Sequence, residues 1–317
     1  MPGQHPQTTL LDHGLVAIDT EYTRPLQDAS HLIIESGRGA FVDTGVNSSV
    51  PLLLAALQER GLDRGDIDYV FLTHIHLDHA GGAGLLMQQL PNARCVIHPR
   101  GAPHMSDPGK LIAGTEAVYG KQNTQNLYGS IQPIDAERID VAYDGEEFSL
   151  NGRALQAFYT EGHARHHYCL SDPTSKGIFT GDSFGVSYRE LDTAAGEFIF
   201  PTTTPVHFDP DEAHKSVDRI MSYEPERLYL THYSEIGNLS RLAADMHKGI
   251  NALVAIALEN AHAEYRRDTI QEAMFEYFVE RLIRHGFKGD RDAMWSILKI
   301  DVDLNTQGIE VWLDKNG

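Results

Sequence analysis

Three imidazoles and a carboxylate crowd into six positions at His74, His76, Asp78 and His79, with Gly81 and Gly82 just behind them. Imidazole and carboxylate are preferred ligands of zinc, iron and manganese. With 17 histidines in 317 residues, three specified histidine positions coincide by chance at roughly 0.05 per chain, and requiring the aspartate and glycine pair lowers this well below about 0.01. A polar surface loop is the bland alternative, and the spacing argues against it. Three further metal-competent side chains stand far downstream. They are His163 after Glu161-Gly162, Asp182 in Thr180-Gly181-Asp182, and His232 after Thr231. Each has an ordinary reading alone, as a loop histidine, a turn-forming aspartate or a capping residue. Together they supply the partners that the first cluster needs.

To bring such residues together, several strands must end at one place. Residues 68–72 read as a short buried strand, so the first cluster sits where a strand gives way to a loop, the end at which open α/β sheets bind ligands. Short β-type runs at 15–19, 31–36 and 40–43 open a sheet, and Asp43-Thr44-Gly45 then turns the chain. Residues 51–60 place Leu52, Leu53, Leu54 and Leu57 on one helical face, with Ser48 or Ser49 as cap and Gly61 as stop. A helix over 82–90, halted by Pro91, and a strand over 94–98 complete an alternation that indicates a layered α/β domain. The stretch 99–135 is rich in Pro and Gly and reads as an excursion over the site, or a plain surface loop, with one helix near 111–119.

β character returns at 147–150, 153–159, 167–171 and 176–180, and 211–221 reads as a helix before a last strand at 227–230. The 74–79 cluster, His163, Asp182 and His232 thus each follow a strand. After Gly237 the pattern turns helical, at 239–266, 270–285, 290–300 and 304–314. The expected organisation is a catalytic domain over 1–237 and a helical extension over 238–317, an ordinary length for a small subdomain. Residues 1–12 are expected to be mobile.

Lys and Arg number 26 against 45 Asp and Glu, a net charge of −19. That disfavours phosphate backbones, which need a basic surface to displace counterions, and gives no support for an acidic membrane. A small-molecule substrate is the remaining expectation. No run approaches the roughly 18 apolar residues of a membrane span, and the first seven residues lack the basic segment and apolar core of an export signal. Cys95 and Cys169 sit singly in strand-like runs, as reduced core residues do. A cytoplasmic location follows.

The ordered set His74-x-His76-x-Asp78-His79, His163, Asp182 and His232 resembles the metallo-β-lactamase superfamily, over about residues 15–235. Asp43-Thr44-Gly45 is similar to an early turn of that family whose aspartate braces the site. The resemblance implies an α/β fold, an αβ/βα four-layer sandwich with the site at one edge, here with an appended helical C-terminal region. It also implies that His74, His76 and His163 hold one divalent metal, that Asp78, His79 and His232 hold a second, and that Asp182 bridges them. Zinc is expected first, with iron or manganese as alternatives. Three neutral imidazoles and a bridging carboxylate leave a position open for water, whose pKa a metal lowers to about 7. Asp78 or Asp182 can then receive the proton released on attack, and no serine or cysteine nucleophile is needed.

The implied function is a dinuclear metal-dependent hydrolase using a metal-bridging hydroxide on a small ester, thioester, lactone or phosphoester. The helical tail is similar in placement to that of glyoxalase II-type thioesterases and quorum-signalling esterases, and could support a homodimer. Two other classes share part of the pattern. Flavodiiron relatives, which handle O2 or NO, place a glutamate where His76 stands and carry a flavin module of which these residues show no sign. Regulatory relatives acting through their helices often lose ligands, whereas every ligand position here is filled. A β-lactamase would be expected to carry an export signal, and a tRNA-processing nuclease a basic arm.

His98, His104, His166, His167 and His207 are weaker candidates for lining the pocket or orienting ligands, and Tyr188 and Tyr233 for touching a substrate carbonyl. Arg241, Lys248, Arg266, Arg267 and Arg281 read as solvated helix charges.

Overall fold

Side chains that point alternately to the two sides of a strand organise the two sheets of the chain. The computed structural model describes residues 6–203 and 207–316. Residues 1–5, on which part of the expected mobile start and of the export-signal reading falls, lie outside the described residues. Two compact units divide the chain. The first comprises 1–159, 166–181 and 225–235, and the second 160–165, 182–224 and 236–317.

In the first unit β1 (Thr8–Leu10), β2 (Leu15–Asp19), β3 (Ala29–Glu35), β4 (Arg38–Val42), β5 (Ile67–Leu72), β6 (Arg94–Ile97) and β7 (Ile139–Val141) form one sheet in that order. Pairing is antiparallel from β1 to β4 and parallel from β4 to β7. A second sheet takes β8 (Glu147–Leu150), β9 (Arg153–Tyr159), β10 (Tyr168–Asp172), β11 (Gly177–Gly181), β12 (Arg227–Leu230) and β13 (Ser234–Ile236), lying in sequence order across it, with only β11 and β12 known to run parallel.

Strands β4 and β5 show why both faces of the first sheet are apolar. Phe41, Val70 and Leu72 enter a core with Leu53 and Leu57 of helix α1 (Val50–Glu59). Ala40, Val42 and Phe71 point the other way, into a core shared with Leu155, Ala157, Leu170, Phe179 and Tyr229 of the second sheet. Strands covered on both sides read as unbroken apolar runs, which is why β5 was legible. Architecturally this is the α/β sandwich, with a helical C-terminal region, expected from the sequence.

Several elements differ from expectation. Thr8–Leu10 is a strand, held by pairing with β2 rather than by any apolar pattern of its own. Ser49 does stand at the start of α1, but its hydroxyl donates to the Thr20 carbonyl at 2.8 Å and accepts from the Val46 amide at 3.2 Å instead of capping the helix. Beyond α2 (Leu77–Ala80) and α3 (Ala83–Gln89), the 99–135 stretch holds three helices rather than one, α4 (Ala102–Ser106), α5 (Gly109–Tyr119) and α6 (Lys121–Tyr128). The α6 sequence is mostly polar and buries only Thr124 and Tyr128, so it lacks a periodic signal. Its anchor is tertiary: the Tyr22 and Tyr128 hydroxyls are 2.7 Å apart and their rings stack.

The second unit contains α7 (Pro210–Ser222), α8 (Leu239–Glu259), α9 (Arg266–His285) and α10 (Arg291–Asn316). Asp209 caps α7, accepting from the Asp211 and Glu212 amides. The separate helices expected at 290–300 and 304–314 are one, because no glycine or proline stands at the junction 301–303 and Val302 is buried there with Leu298 and Ile309. Two of the supposed solvated charges are structural. Arg281 donates to the Ile199 carbonyl at 2.8 Å, over the Phe198 ring, and Arg241 donates to the Glu197 carbonyl at 2.9 Å. Cys95 and Cys169 are buried, and neither takes part in a disulfide. Among the described residues no helix is long and apolar enough to cross a membrane.

His31 on β3 is 1% exposed, and burial lowers its pKa to about 4 from an ordinary 6.5. The unfolded chain therefore binds the proton first. No penalty exists above about pH 6.5; it grows as pH falls and is complete below about pH 4, at roughly 3 kcal/mol. In urea titrations the loss of stability from pH 6.5 to 4.5 should be visibly shallower in His31→Gln than in wild type, and parallel pH profiles would contradict this.

Candidate metal centre

Asp43, at the end of β4, is the hub of the first unit's part of the site. Its Oδ1 accepts from the Thr73 amide at 2.9 Å, and its Oδ2 accepts from the Thr73 hydroxyl, the Thr231 hydroxyl and His79 Nδ1–H, each at 2.8 Å. One carboxylate, 1% exposed, thereby ties the ends of β4, β5 and β12 to helix α2.

These bonds fix which nitrogens can serve as ligands. With Nδ1–H committed to Asp43, His79 presents Nε2 as its lone-pair nitrogen, 3.6 Å from Asp78 Oδ2. His232 Nδ1 faces the Gln27 carbonyl at 3.3 Å and lies 2.8 Å from Asp28 Oδ1, and its Nε2 lies 3.7 Å from the same Asp78 oxygen. A ligand histidine that donates its other ring N–H to a carboxylate has a fixed orientation and a more basic lone pair. Asp78, His79 and His232 place one ligand atom each within 4.8 Å of one another, so this set can hold a metal ion.

His74 and His76 form a pair at the head of the same loop. The Thr73 hydroxyl gives its hydrogen to Asp43, so it accepts from His74 Nδ1 at 3.2 Å, and His74 Nε2 is left facing His76 Nδ1 at 2.8 Å. His167 stacks on His74 with centroids 4.9 Å apart, and His166 stands edge-on to His76 at 5.4 Å. Both rings thus lie against the pair.

In the second unit His163 Nε2 lies 3.3 Å from Asp182 Oδ2, both residues being buried. Gly162 is needed beside His163, because a Cβ there would meet Ala213 Cα of α7 at 2.2 Å. The Ser183 hydroxyl donates to the Thr160 carbonyl at 3.2 Å, holding the two short loops together. Asp182 itself follows Gly181, whose φ is +47° and whose Cβ would lie 2.6 Å from the Thr73 hydroxyl and from His167 Nε2.

Gly181→Ala should therefore cost about 2–4 kcal/mol, combining left-handed backbone strain with overpacking, and should lower bound metal. Urea unfolding and metal analysis check this; a loss below about 0.5 kcal/mol would contradict the packing described.

The other candidates separate clearly. His98 packs on Tyr159 at 4.3 Å and accepts from the Arg100 amide, and burial lowers its pKa to about 4; it is structural. Tyr188 donates to Asp301 at 3.1 Å within the helical unit. Tyr233 is buried directly after His232, while His104 on α4 and His207 are half-buried. Sequence reasoning missed Asp28, Thr73 and Thr231. Nothing in the chain marks Asp28, but the dipeptides Thr73-His74 and Thr231-His232 repeat a Thr-His step at two strand ends, a signal that was there to be read.

A family model described as the metallo-beta-lactamase superfamily matches residues 23–232. A metallo-beta-lactamase fold-containing protein of Sulfurisphaera tokodaii is 30% identical over 195 residues, 60% of this chain and 67% of that one. An atrochrysone carboxyl ACP thioesterase of Aspergillus fumigatus is 27% identical over 75% of this chain but only 59% of its own length. Among solved structures, a metallo-beta-lactamase family protein of Thermus thermophilus superposes with a TM-score of 0.68 at 18% identity, covering 96% of this chain and 94% of that one.

Proposed function

The chain belongs to the metallo-beta-lactamase superfamily, and from that premise we propose that it is a dinuclear metal-dependent hydrolase of a small ester, thioester, lactone or phosphoester. His74, His76 and His163 would hold one divalent ion, Asp78, His79 and His232 would hold the second, and Asp182 would serve both. Zinc is the first choice for both positions, ahead of iron or manganese, because imidazole and carboxylate donors in this mixture suit it. The observation that carries the reading is the pair of buried carboxylates, Asp43 and Asp28, behind His79 and His232. A chain investing two buried carboxylates in orienting two imidazoles is built to present nitrogen lone pairs to a cation.

When bound, such ions supply Lewis acidity and a water of lowered pKa. The chain's own groups do the rest. Asp78 Oδ2 is placed between the Nε2 atoms of His79 and His232, and its side chain is 24% exposed; it takes the proton released as water attacks and passes it to solvent. Asp182, 7% exposed, sets its Oδ2 3.3 Å from His163 Nε2, where the two would share the first ion. All these residues fall within 1–237, and we assign 238–317 to a helical extension of the catalytic domain. Among substrates, acyl thioesters are favoured by the thioesterase names of two fungal relatives, of which this chain spans 36% and 59%. The acidic net charge of −19 supports a small substrate over nucleic acid.

A panel of thioesters, lactones and phosphodiesters, offered to zinc-, manganese- and iron-loaded protein, tests the proposal. Turnover of at least one ester class that chelation abolishes and metal restores is expected. No turnover in any metal form, with an iron form that reacts with O2, would overturn it.

A further inference from the structure

Away from this centre, helices α7 and α8 of the second unit carry two histidines face to face. His214 and Asp218 stand one turn apart on α7, and His247 and Asn251 one turn apart on α8. The rings of His214 and His247 lie edge to edge and nearly parallel, with centroids 4.9 Å apart and planes inclined by 14°, and their Nδ1 atoms approach to 2.6 Å. Each outer nitrogen has an oxygen partner. His247 Nε2 lies 3.1 Å from Asp218 Oδ1, and His214 Nε2 lies 3.0 Å from Asn251 Oδ1.

Oxygen acceptors at both Nε2 atoms require both to be N–H donors. When both Nε2 atoms carry the hydrogen, each Nδ1 presents a lone pair to the other, and a cation between them satisfies both. A shared proton is the smallest such cation. The surroundings match those of a metal ligand more closely, because each ring donates its far N–H to an oxygen, as His79 and His232 do toward Asp43 and Asp28.

We propose that His214 and His247 form a further transition-metal site, binding a divalent ion of the zinc, copper or nickel type through both Nδ1 atoms, with Asp218 and Asn251 orienting the rings. Imidazole suits these three metals, and water completes the coordination. Two nitrogens on one tetrahedral zinc stand about 3.3 Å apart, so the rings part slightly on binding. Their position permits this, since the His247 side chain is 31% exposed and Asp218 is 73% exposed.

The test uses the full chain with its main centre already filled with zinc. Copper(II) is then added alone, followed by equilibrium dialysis, metal analysis and electron paramagnetic resonance. Wild type should take up one more copper per chain than the double variant His214→Ala/His247→Ala, with hyperfine structure from two nitrogens, and circular dichroism should show both proteins folded. Asp218→Asn should weaken this copper by about 10–100-fold while keeping the stoichiometry. Equal copper uptake with identical spectra in wild type and double variant would overturn the proposal, as would a wild-type signal without nitrogen coupling. The readout is a difference between proteins sharing the same main centre, so it stands whether or not that centre hydrolyses esters.

Discussion

Asp182→Ala is expected to lose at least one of two bound metal ions per chain and to cut ester turnover by about a hundredfold or more, the scale on which removal of a preorganised electrostatic partner slows an enzyme. Asp182 is paired with His163, its Oδ2 lying 3.3 Å from Nε2, and the proposed bridging role makes it a ligand of both ions. Alanine takes away the charge that offsets two cations and releases the His163 ring. The fold itself should persist, because the position lies at the end of β11 and the second sheet's pairing does not use the side chain. Metal analysis with a turnover assay decides the matter: wild-type activity at normal metal content would remove Asp182 from the centre. His104→Ala is the control, since His104 sits on α4 with no part in either ligand set, and it should keep both metals.

Asp43→Asn should do comparable damage by a different route, acting through the residues that Asp43 holds. The carboxylate accepts from an amide, two hydroxyls and an imidazole N–H, all of them donors. Asparagine replaces one acceptor oxygen with an amide NH2, so donors face donors in a buried site. Each buried donor left unpaired costs about 1–3 kcal/mol, and an overall loss of about 3–5 kcal/mol is expected, the scale of breaking a buried charged pair. With Nδ1–H unheld, His79 no longer has one fixed tautomer, and zinc affinity at the Asp78, His79 and His232 set should fall about 10–100-fold. Chelator competition measures the affinity and urea unfolding the stability. A variant with native stability and native zinc affinity would show that the hub is dispensable.

The ligand residues were legible because metal chemistry restricts the usable side chains to a few types, and because each follows a strand strong enough to read by its own apolar pattern. Strands β9 and β12 were expected at their observed bounds for that reason. What supports the ligands was less legible. Asp28 lies in a polar turn before β3, and only the folded chain brings it 2.8 Å from His232, some two hundred positions away. Two of the three helices of the 99–135 stretch went unexpected, α6 for a related reason: it is held by Tyr128 against Tyr22, a contact without local periodicity. Strands β1, β7 and β13 are three residues each and exist through their neighbours. Long-range tethers of this kind leave no trace in a window of ten or fifteen residues. The split of α10 into two expected helices is the opposite error, in which a polar interlude was taken for a break although no breaking residue occupies it.

The most direct measurement is a zinc titration of metal-stripped protein, with bound metal and hydrolysis of a responsive thioester or lactone followed together. Activity should be absent at the start, rise as zinc enters the seven-residue centre, and level off once two tightly held ions are bound per chain. Full turnover by the stripped protein, or tight zinc binding that never brings any substrate to reaction, would contradict the account.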